Sequence, residues 1–395
     1  MQSDSLRKKI QWRWLTVAAV IAYGSVCWIA SQPQAQARAE KGVHPIIVPG
    51  LKYLGNASCA GSECHSADKP KEQTGQMIGD EANIWAEADP HALAYETLGN
   101  KDSQKIAAAL NLGKATDSSR CLSCHAMDAP PPQRGEKFAM NNAVGCESCH
   151  GPAEKWLEPH KKAGWTAEQR KSVGADGLLK QHGLIDTSNL SVRAHTCVAC
   201  HLQIDRDLID AGHPPLEFEL YAYNYYVSKK PGKEYRVHWG DGLEPPKFWD
   251  AKLWAAGQAA AHEAASAQVE QWKTKGWETA EAQALADIYA GGLEIVKKHF
   301  GTDTAAEVDK AQLTAAKAVA AANELAALAP KAKDQIHRRI IAYGIAALTS
   351  SAYAEAGKEL PDAFWDSYYA ALEAADAAAF KEALGGMTAV ASEIK

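Results

Sequence analysis

Apolar side chains recur at helical spacing in the last third of the chain. One stripe consists of Leu285, Ile288, Gly292, Ile295, Val296 and His299, and another of Ile336, Ile340, Ile341, Ile345 and Leu348. Gly301 and Gly357 follow these stripes as helix stops. The segment Thr304-Ala-Ala-Glu307 resembles a capping box, and Pro361 can open a last helical region. The pattern predicts an Ala-rich bundle of four or five helices over residues 246–392.

The start of the chain has a different pattern. Residues 14–30 form an apolar run without a charge, preceded by Arg7, Lys8 and Lys9 and followed by the small-residue sequence Ala35-Gln-Ala37. This layout predicts that residues 1–40 are a cleaved signal peptide or an N-terminal anchor, with residues 11–30 in the inner membrane of a bacterium. In both cases the basic flank stays cytoplasmic and the rest of the chain faces the periplasm.

The middle region, residues 45–242, has little regular periodicity and many Gly and Pro turns. We expect long loops, little sheet and short helices there. The formal charge of the chain is −6, which argues against nucleic acid as a partner. The sequence therefore predicts a mainly α protein, in which a loop-rich domain precedes the helical bundle.

Four cysteine-histidine clusters lie in the middle region. Residues 121–125 (motif 2), 146–150 (motif 3) and 197–201 (motif 4) read C-x-x-C-H, and residues 59–65 (motif 1) read C-x4-C-H. C-x-x-C-H is the attachment signal of c-type haem, in which two thiols bond to the porphyrin edge and the histidine binds iron. The motifs predict four covalently bound haem c groups and hence a redox function. The predicted thioether residues are Cys59, Cys64, Cys121, Cys124, Cys146, Cys149, Cys197 and Cys200, and the predicted proximal ligands are His65, His125, His150 and His201.

Zinc and disulfides are the alternatives for these cysteines. Zinc accepts Cys and His, but it does not require a histidine directly after every second cysteine. A disulfide framework is typical of exported chains, but it leaves the four histidines unexplained.

The sixth ligand of each iron decides between electron transfer and ligand chemistry. The same region holds six further histidines, at positions 91, 160, 182, 195, 213 and 238, and His44 lies just before them. Methionine is scarce there, with Met77, Met127 and Met140 only. The residues therefore favour two histidines on each iron, which implies low potentials compared with His/Met haems.

The chain resembles the cytochrome c-554 family of tetrahaem electron carriers, especially its longer exported relatives. The matching pieces run in order over residues 53–239: Tyr53-Leu-Gly55, Trp85-Ala-Glu-Ala-Asp-Pro-His91-Ala-Leu-Ala94, Gly145-Cys-Glu-Ser-Cys-His-Gly-Pro-Ala153, His160, Ala211-Gly-His-Pro214, Phe218-Glu219 and His238-Trp239. In the second piece, this chain has Asp89-Pro90 where the family's segment has a serine.

The resemblance implies that His91, His160 and His213 are distal ligands. Relatives often carry a His-Asp pair where this chain has Arg206-Asp207. A fourth distal ligand is missing at that position, and His195 is the candidate substitute. If nothing substitutes, one haem is open, and Arg206 would lie near the iron pocket or a propionate.

Three functions are open at this point. The first is an exported tetrahaem c-type cytochrome that passes single electrons between periplasmic or membrane redox partners. The second is an oxidoreductase acting on a small nitrogen or sulfur compound at one open haem. The third is a subunit of a haem filament or membrane complex. The sequence favours an electron carrier over an enzyme.

Overall fold

The computed structural model describes residues 46–67, 71–73, 76–162, 167–226, 229–230, 233–234 and 246–394. The predicted leader, residues 1–40, lies outside these ranges. Among the described residues, no helix is both long enough and apolar enough to cross a bilayer. The chain is mainly α, as predicted. In the described parts, the sheet consists of two antiparallel pairs, Lys71–Gln73 (β1) with Gln76–Ile78 (β2) and Lys229–Lys230 (β3) with Lys233–Glu234 (β4).

Residues 46–226, called here the cysteine-rich region, contain ten helices joined by loops and 3-10 turns. They are Glu81–Ala88 (α1), Ala94–Thr97 (α2), Lys101–Ala109 (α3), Ser119–His125 (α4), Cys146–His150 (α5), Leu157–His160 (α6), Ala167–His182 (α7), Leu190–His201 (α8), Arg206–Asp210 (α9) and Leu220–Tyr226 (α10).

Motifs 2, 3 and 4 lie inside helices, whereas motif 1 lies in turns. α4, α5 and α8 each end at the histidine of their motif. After α5 the chain turns at Gly151, whose φ of 75° is one that a side chain rarely adopts. A Cβ at this glycine would lie 2.2 Å from the carbonyl oxygen of Gly183. The helix therefore stops at His150 because the chain must turn sharply there.

Residues 246–394 form the bundle. It has six helices, not the four or five predicted: Trp249–Thr274 (α11), Ala280–Phe300 (α12), Ala315–Ala326 (α13), Gln335–Glu355 (α14), Asp362–Glu373 (α15) and Ala377–Ala391 (α16). Gly301 ends α12 in the left-handed conformation, as predicted. The predicted capping box at Thr304 is wrong, because the Thr304 side chain caps no backbone N–H and only a 3-10 turn, Ala305–Lys310, follows.

A single hydrophobic core joins the cysteine-rich region to the bundle. Leu190 and Val198 of α8, and Leu202 directly after it, are buried in the same cluster as Trp249 and Trp254 of α11. The small side chains of α11, many of them fully buried alanines, allow close packing of its neighbours. The helix that carries motif 4 therefore depends on the bundle for its buried face.

Candidate haem sites

The four motifs are neighbours in space. The thiols of Cys59 in motif 1 and Cys146 in motif 3 lie close enough to shift each other's pKa, which is raised at Cys59 and lowered at Cys146. Cys124 in motif 2 and Cys200 in motif 4 form a similar pair. Burial and then the nearby thiol of Cys197 raise the pKa of Cys149, so motifs 3 and 4 also adjoin. The motifs therefore follow one another in the spatial order 1, 3, 4, 2.

None of the motif cysteines forms a disulfide with another cysteine of the described residues. In the described residues, no group of three or more His, Cys, Asp or Glu side chains is arranged to hold a metal ion without another ligand.

Glu147, inside motif 3, fixes the loop that leads into motif 1. Its buried carboxylate accepts hydrogen bonds from the backbone N–H groups of Leu54, Gly55 and Ala153, at 2.8, 2.6 and 2.7 Å. Asn56 adds a bond, because its Oδ1 accepts the N–H of Cys146 at 3.1 Å. Motifs 1 and 3 are thus held together by buried polar contacts.

Three motif histidines each face one of the histidines predicted as distal ligands. The rings of His65 and His160 are stacked, with centroids 6.2 Å apart. The centroids of His91 and His201 are 5.7 Å apart, and those of His125 and His213 are 6.4 Å apart. The structure thus brings together the residues that the sequence had left far apart.

The spacing of these pairs fits a metal between the two rings. The Nε2 atoms of His91 and His201 lie 3.4 Å apart. Two metal–nitrogen bonds of about 2 Å each would need roughly 4 Å, so a small outward movement of either ring makes room.

The Nδ1 atoms of five of the six paired histidines contact acceptors. His125 Nδ1 is bonded to the carbonyl oxygen of Ala94 at 3.0 Å, and His213 Nδ1 to that of Pro214 at 2.8 Å. The partner of His160 is the carbonyl oxygen of Leu157. His65 and His91 use carboxylates instead, those of Glu81 and Asp89, each at 2.9 Å. An Nδ1 that donates a hydrogen bond leaves the lone pair on Nε2, and in the pair of His91 and His201 the Nε2 atoms face each other.

Burial keeps several of these rings neutral. It lowers the pKa of His201 to about 4, and it also lowers the pKa values of His125 and His160. A neutral imidazole is the form that binds a metal ion, so these histidines can bind iron without losing a proton at neutral pH.

A cleft with a volume of about 120 Å³ runs between motifs 1 and 3. Its walls include Cys59, Cys64, Cys146, Cys149, His65, His91, His150 and His160, with Trp85, Val144, Trp156 and Leu157 as apolar lining. The cleft therefore offers thiols, imidazoles and apolar walls together, which is the donor set that a thioether-linked porphyrin requires.

His195 contacts the bundle. Its Nδ1 lies 2.7 Å from the carbonyl oxygen of Ser191, and its Nε2 lies 3.3 Å from the Glu263 carboxylate of α11. Glu263 raises the pKa of His195. Both ring nitrogens are thus engaged, and the prediction that His195 is a ligand stays a prediction. His150 lines the cleft.

Arg206 also lies at the bundle. Its guanidinium pairs with Asp210 at 2.8 Å and Glu281 at 3.0 Å, and it covers the Trp272 ring. These contacts differ from the expected position near an iron pocket or a propionate, because two carboxylates already hold the guanidinium.

The aromatic run after His213 forms the short helix α10 and the turn before it. Tyr223 packs on His201, with ring centroids 4.8 Å apart, and Phe218 is fully buried. The run therefore supports the histidine of motif 4.

Three residues of the site were missed from the sequence. Glu81 and Asp89 accept hydrogen bonds from ligand-candidate histidines, and Arg120 pairs with Asp205 and Asp207 at 3.0 and 2.7 Å. Asp89 had a signal, since it replaces a serine in the family-like segment. Glu81 and Arg120 had none, because their partners are distant in sequence.

The site and the fold define a c-type cytochrome, in which mainly helical polypeptide arranges cysteine-histidine motifs around shared clefts. Residues 57–151 match the family model described as cytochrome c554 and c-prime. This match supports the resemblance to the cytochrome c-554 family that the motifs of this stretch predicted. Residues 57–151 contain motifs 1, 2 and 3 in full, whereas motif 4 lies beyond them. No curated protein and no solved structure matched the chain.

Proposed function

We propose that the protein is an exported tetrahaem cytochrome that passes single electrons between periplasmic or membrane redox partners. Each haem c would be bonded to the two cysteines of one motif. His65, His125, His150 and His201 would be the proximal ligands, and His160, His213 and His91 would be the distal ligands of the haems at motifs 1, 2 and 4. The family match supports the general part of this proposal, namely that the protein is a c-type cytochrome in electron transfer.

The facing histidine pairs carry this proposal. In each pair, both predicted ligands come from separate segments, yet their rings face one another at 5.7–6.4 Å. Six-coordinate iron with two histidines favours electron transfer over ligand chemistry. Bound haem supplies reversible one-electron chemistry. The residues of the chain hold the ligand rings, exclude water and set the surrounding charge.

The adjacency of the motifs supports transfer within one molecule. Thiols of motifs 1 and 3, of motifs 3 and 4, and of motifs 4 and 2 lie close enough to influence one another's pKa. Such a series of neighbouring attachment sites suits a relay better than separate, isolated sites would.

The mass and the spectrum of the purified protein test the proposal. We expect the intact mass to exceed that of the mature polypeptide by four haem groups. We also expect low-spin signals in electron paramagnetic resonance, with little change on adding carbon monoxide. A mass increase of fewer than four haems would contradict the tetrahaem part. A high-spin haem that binds carbon monoxide would favour the open-haem oxidoreductase instead.

The cellular location needs a separate measurement. We propose that the mature domain is periplasmic, either free after cleavage or held by residues 11–30. Mass spectrometry of the mature N-terminus, together with fractionation of the producing cells, distinguishes the two forms. A chain that keeps its N-terminus and sediments with membranes would support the anchor.

A further inference from the structure

The histidines of the proposed haem sites differ in the charge of the group that accepts their Nδ1 hydrogen bond. At motif 2, both acceptors are backbone carbonyls, of Ala94 and Pro214. At motif 4, the distal His91 bonds to the Asp89 carboxylate. The two sites therefore offer the same ligand atoms with different electrostatic surroundings.

Asp89 is held in a fixed position. Its side chain is 4% exposed, and its Oδ1 accepts both the backbone N–H and the Nδ1 of His91, each at 2.9 Å. The first of these bonds caps the 3-10 turn Pro90–Leu93, so the backbone and the side chain of His91 are fixed by one carboxylate. The backbone of Asp89 is also held in place, because its N–H donates a hydrogen bond to the carbonyl oxygen of Trp85.

We propose that Asp89 is a positioning residue that lowers the reduction potential of the haem between His91 and His201, which rests on the proposed function. A carboxylate on Nδ1 makes the imidazole a stronger electron donor to the metal. A buried negative charge also favours the more positive, oxidised iron. Both effects act in the same direction, and neither exists at the site of His125 and His213.

Glu81 repeats the arrangement at motif 1. Its carboxylate lies 2.9 Å from His65 Nδ1 and also accepts the N–H of Gly79 at 2.9 Å. Its side chain is 18% exposed, against 4% for Asp89. Water therefore screens its charge more, and we expect a smaller effect there than at Asp89.

The Asp89→Asn variant of the full-length holoprotein tests the proposal. The amide keeps an oxygen that can accept both hydrogen bonds, but it removes the charge. In a potentiometric titration followed by the haem absorbance, we expect one component to shift upward while the others stay in place. The expected shift is about tenfold in the ratio of oxidised to reduced haem at a fixed potential, or 59 mV for a one-electron couple. Asp128→Asn is the matched control, because that carboxylate is also well buried but pairs with Arg134 at 3.5 Å.

A second variant guards against a simple folding defect. Asp89→Ser can still cap the turn at residue 90 and also lacks the charge. If Asp89→Asn loses a haem or its low-spin signal, Asp89→Ser replaces it in the titration. The proposal is overturned if either variant keeps four low-spin haems with unchanged potentials. It is also overturned if both variants lose the low-spin signal, since Asp89 would then only hold His91 in place. The function proposed above fails separately, if the wild-type protein shows no haem mass or no reversible titration.

Discussion

Glu219 is an acidic side chain at the junction of the cysteine-rich region and the bundle. It is 2% exposed, and its Oε2 accepts the N–H of Ala222 at 2.7 Å. Burial raises its pKa from 4.5 to about 7. The native state therefore keeps this proton to a higher pH than the unfolded chain does.

The stability of the protein should consequently depend on pH through Glu219. The contribution of the bound proton is complete below the unfolded pKa of 4.5 and is lost as the pH rises through 7. Between pH 5 and pH 8, we expect the free energy of unfolding of the wild type to fall by about 2 kcal/mol relative to Glu219→Gln. Denaturant titrations of both proteins across this pH range measure the difference. Glu154→Gln, at an exposed carboxylate, is the control that should follow the wild type, and parallel curves for all three proteins would contradict the assignment.

At the scale of single elements, the close packing of α14 against its neighbours is the clearest constraint. A Cβ at Gly344 would lie 2.4 Å from both Leu325 of α13 and Trp254 of α11. Gly385 in α16 is the opposite case, because nothing lies within 4 Å of an added Cβ. Replacing these two glycines by alanine should therefore change the stability of the bundle in opposite directions.

We expect Gly344→Ala to destabilise the bundle by about 1–3 kcal/mol, because the extra methyl must displace packed side chains. Gly385→Ala should stabilise it by about 0.5–1 kcal/mol, because alanine loses less backbone entropy in a helix than glycine does. Denaturation followed by far-UV circular dichroism measures both. Equal effects for the two variants would show that the helix interface at Gly344 can relax.

The elements also show where sequence patterns suffice. The apolar stripes predicted α12 and α14, because helical periodicity survives in any well-packed bundle. The last helical region after Pro361 was not resolved into α15 and α16. Ala374 is non-helical between them, and Asp376 caps α16 by accepting the N–H groups of Ala378 and Ala379. An alanine-rich run hides such a break, since its periodicity is weak on both sides.

For the haem sites too, the sequence predicted some features and missed others. Local spacing predicted the thiols and the adjacent histidines, because one turn of backbone holds them. The facing of His65 and His160 is a tertiary contact, and only the family resemblance pointed to it. Asp89 acts within two residues of His91, so its role could have been suspected from the sequence, whereas the bond from Glu81 to His65 spans 16 residues.

At the scale of the whole molecule, motif 4 and the bundle form one packed unit. Trp272 of α11 donates to the carbonyl oxygen of Ile204 at 3.0 Å, and Gln268 accepts the N–H of the same residue at 2.7 Å. Asp205 pairs with Arg120 before motif 2 and with Lys275 of the bundle, at 3.0 and 3.1 Å. The boundary near residue 245 between the loop-rich domain and the bundle stays a prediction from the sequence. The contacts described here join residues on its two sides.

A chain ending at residue 245 should therefore fail to mature at motif 4. Leu190, Val198, Leu202 and Phe218 would lose the bundle side of their core, and exposing a buried side chain of this size costs roughly 1.5–3 kcal/mol each. The sum is comparable with the whole stability of a typical domain. We expect a low soluble yield and an intact mass with fewer haems than the full-length chain carries, and co-expression of residues 246–395 should restore both. A soluble truncated chain with the full haem complement and an unchanged spectrum would show instead that the bundle is an independent domain, and its function would then have to be sought in contacts with a partner.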